Sequence, residues 1–130
     1  MSISIGLRGE AAATVTEQNT AAAAGSGSLQ VFGTPYLIAL MEEAACQAIH
    51  PFLEEGQSSV GTHLEVSHDA ATPVGMTVRA EAEVTAVDGR RITFRVTAFD
   101  ECGPIGKGTH ERCIIRQESF LQRTYAKKQP

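Results

Sequence analysis

The sequence predicts an α+β domain in which a curled antiparallel sheet wraps around one long buried helix. Two observations predict this class. Residues 34–50 have the composition of a helix and are apolar on nearly every side, as a buried helix is. From residue 60 onward, apolar and polar residues alternate with a period of two, as they do in half-buried antiparallel strands.

The order of these segments narrows the fold further. One weak strand pattern precedes the helix and four strands follow it. A flat sheet cannot cover a long helix alone, so the sheet must curl around it and a partner must cover the remaining apolar surface. This arrangement is a hotdog fold, whose usual form is a sheet-to-sheet dimer. We therefore expect a single hotdog domain over residues 1–130, assembled as a homodimer.

The helix is predicted to begin at Thr34 and to end at His50. Thr34 is a good N-cap, Pro35 suits the first helical position, and Pro51 stops the helix. The apolar positions of this helix are Leu37, Ile38, Leu40, Met41, Ala44, Ala45, Ala48 and Ile49.

The four strands after the helix follow from their alternation. Residues 60–68 and 76–86 form the first two, and Asp88-Gly89 is expected as a two-residue hairpin turn. Residues 92–98 and 105–116 form the last two, and the glycines of the final strand predict a bulge or a close backbone approach. The predicted inner faces of the second and third strands carry Met76, Val78, Ala80, Ala82, Val84, Ala86, Ile92, Phe94, Val96 and Ala98.

The two ends of the chain are weakly patterned. Within residues 1–30, AAATVTEQ predicts a strand, and NTAAAAGSGSLQ predicts a loop or mobile flap because Gly25 and Gly27 work against a helix. Residues 118–130 are polar and predict a frayed tail.

The composition argues against several classes of function. With a net charge of −4, the chain has no electrostatic reason to bind nucleic acid or an anionic membrane. Its three cysteines form no CxxC pair, which argues against a metal site or a disulfide framework and favours a reducing compartment. No apolar segment is long enough to span a membrane, and MSISIGLRGE lacks the pattern of a secretory signal. We expect a cytoplasmic protein without a bound metal.

Two titratable residues stand on apolar faces. His68 continues the face of Leu64 and Val66, so it is a packed core residue, a turn cap with Asp69, or a proton shuttle with a pKa near neutrality. Glu42 lies in the middle of the apolar helix, where a carboxylate is costly unless it is paired. Glu42 could attack a carbonyl, activate water, or hold His68 in one tautomer.

Thr34 needs no chemistry to explain it, since a threonine before PYL is a good N-cap. Eight helical residues rise about 12 Å, so Thr34 and Glu42 of one chain could not contact the same small group. Either the helix begins later than predicted, or the site takes the two residues from two subunits. The second alternative fits a site at a dimer interface and predicts an inactive monomer. His110 is expected to be structural.

Three segments carry a resemblance to a known family. VFGTPYLIALMEEAA, VGTHLEVSHDAATPVGMTV and GKGTHER resemble the hotdog thioesterases related to fluoroacetyl-CoA thioesterase. The resemblance runs from about Val31 to about Arg116. Its most specific part is a threonine, a glutamate eight residues later, and then the pattern H-x-A-A-T-P-x-G.

The resemblance implies a catalytic group and an activity. It implies that Thr34, Glu42 and His68 form the catalytic group at an active site in the dimer interface. It implies hydrolysis of a small acyl-CoA thioester to the free acid and CoA, with no metal or redox cofactor and with CoA only as part of the substrate. The expected assembly is a homodimer, which could pair further into a tetramer.

The resemblance also implies substrate contacts. It puts Gly61 near the substrate carbonyl and Arg112 near the site, where Arg112 could pair with an acid on its sheet or meet the CoA phosphates. Phe32 is expected to contact the substrate. The family's specialised member carries aromatic residues as a lid before the threonine, whereas this chain has AAAAGSGSLQ and no aromatic residue until Phe32. A different or broader acyl group is therefore expected.

Two other functions compete with hydrolysis. A non-catalytic acyl-CoA binding or sensing module would keep the pocket and lose the chemistry. The presence of all three catalytic residue types at the family spacing argues against it. A hotdog dehydratase is disfavoured, because the sequence carries no dehydratase-type signature.

Overall fold

The structure is a computed structural model that describes residues 2–129. A strand precedes the long helix and four strands follow it, which is the predicted order. Short 3-10 helices follow α2 and α3 at residues 50–52 and 126–128. In chain order the elements are β1 (Arg8–Thr14), α1 (Ala21–Ala24), α2 (Thr34–Ile49), β2 (Gln57–His68), β3 (Thr77–Asp88), β4 (Arg91–Asp100), β5 (Gly103–Arg116) and α3 (Gln117–Tyr125).

The strands form a five-stranded antiparallel sheet in the order β1-β3-β4-β5-β2. The edges are therefore β1 and β2. Each edge has one row of backbone N–H and C=O groups that no strand within residues 2–129 pairs, and such rows are ready to accept another strand. The β2 edge is the longer one, with 12 residues against 7 for β1.

The core lies between α2 and the inner face of the sheet. The helix packs mainly on β1 and β3, where Gly9 permits a close approach because a Cβ there would meet the carbonyl of Ala44. The predicted alternation is confirmed in β4, whose inner residues are fully buried. The largest buried side chains of this core include Phe32, Leu37, Met41, Ile49, Val78, Val84, Ile92, Phe94, Val96 and Ile105.

The start of α2 differs from its prediction. Gly33 is the N-cap, and Thr34 is the first helical residue with Pro35 next to it. Thr34 is therefore not the N-cap, and its hydroxyl is free to bond elsewhere. The helix does not begin later than predicted, so the rise of about 12 Å between Thr34 and Glu42 stands.

Four further boundaries are corrected. β1 begins at Arg8 and ends at Thr14, earlier than AAATVTEQ predicts. The segment predicted as a loop contains the one-turn helix α1, because Thr20 caps its start and Gly25 takes a left-handed conformation at its end. The hairpin turn is Gly89–Arg90, since Asp88 still pairs with Arg91. The segment predicted as a frayed tail contains α3.

Irregularities in the sheet explain the remaining differences. A register shift between Val84 and Ala86 turns Ala86 outward, so it is exposed rather than on the inner face. The close backbone approach predicted for the last strand is confirmed at Gly106, where a Cβ would lie 2.5 Å from the carbonyl oxygen of Ser67. Within residues 2–129, no helix has the length and apolar character needed to cross a membrane.

Candidate active site

Thr34 and His68 meet where the first turn of α2 lies against the end of β2. Thr34 Oγ1 lies 2.7 Å from His68 Nδ1, a hydrogen bond in which either group can donate. His68 faces the helix because its register partner Gly106 pairs in turn with the buried Ala98 of β4. We call Thr34 and His68 the His68 pair.

The environment of His68 favours its neutral form. Burial lowers the pKa of this imidazole, against weaker opposing influences from the Asp69 carboxylate and the Ala70 backbone. Nε2 of His68 is buried and forms no hydrogen bond with the described residues. The turn-cap interpretation is not supported, since the side chain of Asp69 accepts a hydrogen bond from Ser67 instead.

A second group of polar side chains surrounds Arg112 on β5. Arg112 is only 7% exposed, and its guanidinium is held from three sides. Nη1 donates to Glu42 Oε2 at 3.2 Å and contacts His110 Nε2 at 3.1 Å. Nε donates to Ser59 Oγ at 2.8 Å, and Nη2 donates to the Ser59 carbonyl at 3.1 Å. These contacts fix the orientation of the guanidinium that faces Glu42.

His110 is neutral in this arrangement. Its Nδ1 lies 2.8 Å from the His63 carbonyl, which can only accept, so Nδ1 carries the proton. Nε2 then accepts from Arg112. Burial lowers the pKa of His110, and the charge of Arg112 lowers it further. The ring also stacks on Phe94, with centroids 6.0 Å apart.

Gly61 faces the same carboxylate. A Cβ at Gly61 would lie 2.5 Å from Glu42 Oε2 and 3.2 Å from Cε1 of His110. A register shift between Gly61 and His63 interrupts β2 at this point. Glycine therefore makes room for Glu42 on an otherwise regular strand. We call Glu42, Ser59, Gly61, His110 and Arg112 the Arg112 cluster.

The two groups lie on the same face of the sheet but at different places along it. Gly61 pairs with Arg112, and Arg112 pairs with the buried Ile92. Between Gly61 and His68, β2 advances by roughly 20 Å. No hydrogen bond or ion pair within residues 2–129 joins Glu42 to His68. The structure therefore places the three predicted catalytic residues in two separate groups: Thr34 lies with His68, and Glu42 lies with Arg112.

The other predicted residues have clear positions. Phe32 is 1% exposed and packs in the core. Its predicted contact with substrate stays a prediction. Arg112 pairs with an acid, but that acid is on α2 rather than on its own sheet as expected. No group of three or more potential metal-ligating side chains is placed to hold a metal ion within residues 2–129.

Sequence reasoning missed two members of the Arg112 cluster. Ser59 and His110 each lie two residues from a predicted site residue on the same strand, Gly61 and Arg112 respectively. Because side chains two apart share a face of a strand, period-two spacing could have found both. The structural role expected for His110 stays a prediction, and its Nε2 contacts Arg112.

Comparison with known proteins identifies the family. The sequence profile of the family described as fluoroacetyl-CoA-specific thioesterase matches residues 15–118. The chain belongs to the fluoroacetyl-CoA thioesterase family. A fluoroacetyl-CoA thioesterase from Streptantibioticus cattleyicolor is 48% identical over 91 residues. These residues are 70% of this chain and 66% of that protein, just under two thirds of its length.

Solved structures agree with this family. One of a fluoroacetyl-CoA thioesterase has a TM-score of 0.91 at 37% identity, over 100% of both chains. A variant of that enzyme in complex with acetyl-CoA has the same score and identity, over 98% of this chain and 100% of that chain. A hot-dog-like protein from Thermanaerovibrio acidaminovorans is 24% identical, with a TM-score of 0.85 over 95% and 91% of the two chains.

Three predictions are confirmed by these likenesses. The predicted hotdog fold is the fold of the structural neighbours. The predicted fluoroacetyl-CoA thioesterase family is correct, and the predicted class of enzyme, a thioester hydrolase acting on acyl-CoA, is confirmed at the level of the family. The homodimer, the cytoplasmic location and the roles of the individual residues stay predictions.

Proposed function

We propose that this protein hydrolyses small acyl-CoA thioesters to the free acid and CoA. The observation that carries the proposal is the 2.7 Å hydrogen bond between Thr34 and the half-buried His68. A neutral imidazole bonded to a hydroxyl is suited to acid–base catalysis of acyl transfer. The reaction needs only water as co-reactant, and CoA enters as part of the substrate. Membership of a thioesterase family supports the same chemistry.

His68 is proposed as the acid/base group. Burial favours the neutral ring, which can take up a proton during attack on the thioester and return it to the departing CoA thiolate. Thr34 is proposed either to orient the ring through its hydrogen bond or to attack as the hydroxyl nucleophile. The first role requires only the hydroxyl, and the second requires an acyl-enzyme on Thr34.

Glu42 is proposed to attack the carbonyl carbon, either directly or through a water molecule from which it takes a proton. Its side chain is 36% exposed, so substrate can reach it, and Arg112 fixes Oε2. Direct attack would break the C–S bond, release CoA as its thiolate and form a mixed anhydride on Glu42. Water would then give a proton to His68 and cleave the anhydride to the free acid and the Glu42 carboxylate, and His68 would pass that proton to the CoA thiolate. The backbone N–H of Gly61 is proposed to donate to the thioester oxygen as charge develops there.

Two subunits are proposed to complete each site. Glu42 and His68 of one chain are separated, whereas β2 is a free edge on which a second copy can pair antiparallel. The midpoint between Gly61 and His68 lies beside Leu64. Pairing of two β2 strands about that point would bring the His68 pair of one subunit beside the Arg112 cluster of its partner. We propose a homodimer on this ground. Two dimers could pair further into a tetramer through their outer surfaces.

The acyl group is proposed to be broader than fluoroacetyl. The segment before Thr34 forms α1 and a loop made of small residues, and Leu29 is the one large apolar side chain between Thr20 and Gln30. Leu29 is 66% exposed and has no aromatic neighbour in that segment. A flap of this composition cannot close an aromatic lid over a small acyl group.

We propose a cytoplasmic location, supported by three free cysteines.

The test is release of free thiol from a panel of short, branched, aromatic and halogenated acyl-CoAs. We expect hydrolysis of several members, without strong preference for fluoroacetyl-CoA. His68→Ala should lose most activity, by about a hundredfold or more, while staying folded. His50→Ala is the matched control, since His50 is exposed at the far end of α2. Full activity in His68→Ala would remove His68 from the mechanism.

The panel also separates catalysis from binding alone. A non-catalytic module would be stabilised thermally by an acyl-CoA without releasing thiol. That result, with folded dimeric protein, would replace the thioesterase with an acyl-CoA binding module.

A further inference from the structure

We infer that Thr72 and Asp100 are positioning residues that hold the His68 pair in register. Thr72 lies in the H-x-A-A-T-P-x-G pattern four residues after His68, and no catalytic role is assigned to it. The inference rests on the proposed function, because it assigns a purpose to the geometry of that same site. It concerns two residues that contact neither Thr34 nor His68 through a side-chain hydrogen bond.

Thr72 is tied to the turn between β4 and β5. Its side chain is fully buried, and Oγ1 donates to Asp100 Oδ2 at 2.7 Å. The other carboxylate oxygen, Oδ1, accepts the backbone N–H groups of Cys102 at 2.8 Å and Gly103 at 3.2 Å. Asp100 therefore uses both oxygens, one to cap the turn and one to bind the loop that follows His68.

The backbone of Thr72 is tied to the segment before α2. Its carbonyl accepts the N–H of Phe32 at 2.9 Å, and Val31 forms an antiparallel bridge with Pro73 next to it. Phe32 lies two residues before Thr34, and its buried ring anchors that segment in the core. One residue thus connects the Asp100 turn to the start of the helix that carries Thr34.

The same loop is fixed at its His68 end. The N–H of Asp69, the residue after His68, donates to the Ile105 carbonyl at 2.7 Å. The short path from His68 to Thr72 is therefore held at both ends by β5 and its preceding turn. Thr34 and His68 come from different elements, so their hydrogen bond depends on the relative position of those elements. Thr72 is the link that sets this position.

A small displacement should have a large kinetic effect. Reacting groups must be held within a fraction of an ångström, and a shift of about 1 Å can cost about a hundredfold in rate. A buried hydroxyl also costs stability when it loses its partner. A purely structural role predicts loss of stability alone, whereas positioning predicts loss of kcat in protein that is folded.

Kinetics of three variants provide the first test. Thr72→Val keeps the shape of the side chain and removes the donor, and we expect kcat to fall about ten- to a hundredfold with KM within about threefold. Thr72→Ser keeps the hydroxyl and should restore most of kcat. Asp100→Ala removes both acceptor oxygens, so it should resemble Thr72→Val, and it provides the same test if Thr72→Val does not fold.

The ring nitrogens of His68 provide a readout that does not depend on turnover. In ¹⁵N-labelled protein, Thr72→Val should move the titration midpoint of His68 towards its ordinary value near 6.5, because a displaced ring is better solvated. Thr85→Val is the matched control. Thr85 is half-buried, and its hydroxyl donates to the Thr93 carbonyl at the other end of β3. It should leave both kcat and the His68 titration unchanged.

The outcomes separate this inference from the proposed function. An inactive wild-type protein would count against thioester hydrolysis, and the His68 titration would still decide the positioning role. Active wild type with unchanged kcat and unchanged His68 titration in Thr72→Val and Asp100→Ala would overturn the inference. A fall in kcat with recovery in Thr72→Ser, and a shifted His68 signal, would support it.

Discussion

At the scale of single residues, burial suits His68 to the acid–base role that is proposed for it. It lowers the pKa of the ring, so the neutral form is present at lower pH than for a solvated histidine. His110 has a lowered pKa for the same first cause, but its two nitrogens are already bonded. His68 keeps a buried Nε2 with no hydrogen bond to the described residues, which is the atom left for chemistry.

This difference predicts the pH dependence of the reaction. His68 must be neutral to accept a proton, so kcat/KM should be constant at neutral pH and fall as the pH drops through a midpoint below 6.5. The measurement is a profile of kcat/KM from pH 4.5 to about 8, with free CoA detected at each pH. A midpoint above about 7, or a flat profile, would contradict neutral His68 as the base.

Protonation also links these residues to stability. Both His68 and His110 have folded-state pKa values below the ordinary value of 6.5, so the unfolded chain binds more protons once the pH falls below that value. The stabilisation is complete above about pH 6.5 and is lost as the pH falls through the folded pKa values. Activity loss must therefore be measured within the pH range where the protein remains folded.

Gly61 allows a sharp steric prediction. In Gly61→Ala the new Cβ would lie 2.5 Å from Glu42 Oε2, too close for the carboxylate to remain where it is. We expect Glu42 to move, and kcat to fall about tenfold or more with the fold retained. Thr97→Ala, on the outer face of β4, is the control. Wild-type kinetics in Gly61→Ala would show that the position of Glu42 is not critical.

Only some of the contacts between individual residues could be predicted from the sequence. The spacing of Thr34 and Glu42 correctly excluded a shared contact in one chain, because helix geometry alone fixes their separation. The partners of Arg112 could not be deduced in the same way. The cluster joins three elements: the register of β2 and β5 brings Ser59 beside Arg112, and α2 brings Glu42 to the same guanidinium.

At the scale of elements, β2 is the strand through which the proposed dimer would pair. It is an edge strand of 12 residues that carries His68 at its end and Gly61 near its middle. Long free edges invite pairing with another chain. β1 is the opposite edge, and neither Gly61 nor His68 lies on it.

Amide hydrogen exchange distinguishes the two edges. If β2 pairs with its copy, the outward N–H groups near Leu64 should exchange at least about tenfold more slowly than the outward groups of β1. Exchange should be followed by NMR at concentrations where light scattering gives the mass of a dimer. Equal, rapid exchange at both edges would contradict pairing through β2.

Elements with strong periodicity were predictable, and elements made by tertiary contacts were not. β4 follows its apolar pattern and its inner face is buried as predicted. α2 buries its apolar face, but it is not buried on nearly every side, because Ala39, Glu43 and Gln47 form an exposed stripe. β1 has a weak pattern, RGEAAAT, because Gly9 is there to admit α2 rather than to favour a strand. α1 is one turn long and depends on a cap at Thr20. In the sequence this cap is a weaker signal than the glycines that follow, so the pattern predicts a loop there.

At the scale of the whole molecule, the two groups of proposed catalytic residues lie at separate places in one chain. The His68 pair lies at the end of β2, and the Arg112 cluster lies near its middle. An isologous interface repeats every contact twice, so a dimer through β2 would form two equivalent sites. Each site would take Glu42 from one subunit and His68 from the other.

Complementation between two inactive variants tests this composite site most directly. Glu42→Gln and His68→Ala carry different tags, are co-expressed, and their heterodimer is purified through both tags. Each homodimer should be inactive. In the heterodimer one site carries both substitutions and the other carries none, so we predict about half of the wild-type activity per dimer. A heterodimer as inactive as the two homodimers would show that Glu42 and His68 act within one chain, and it would contradict a site shared between subunits.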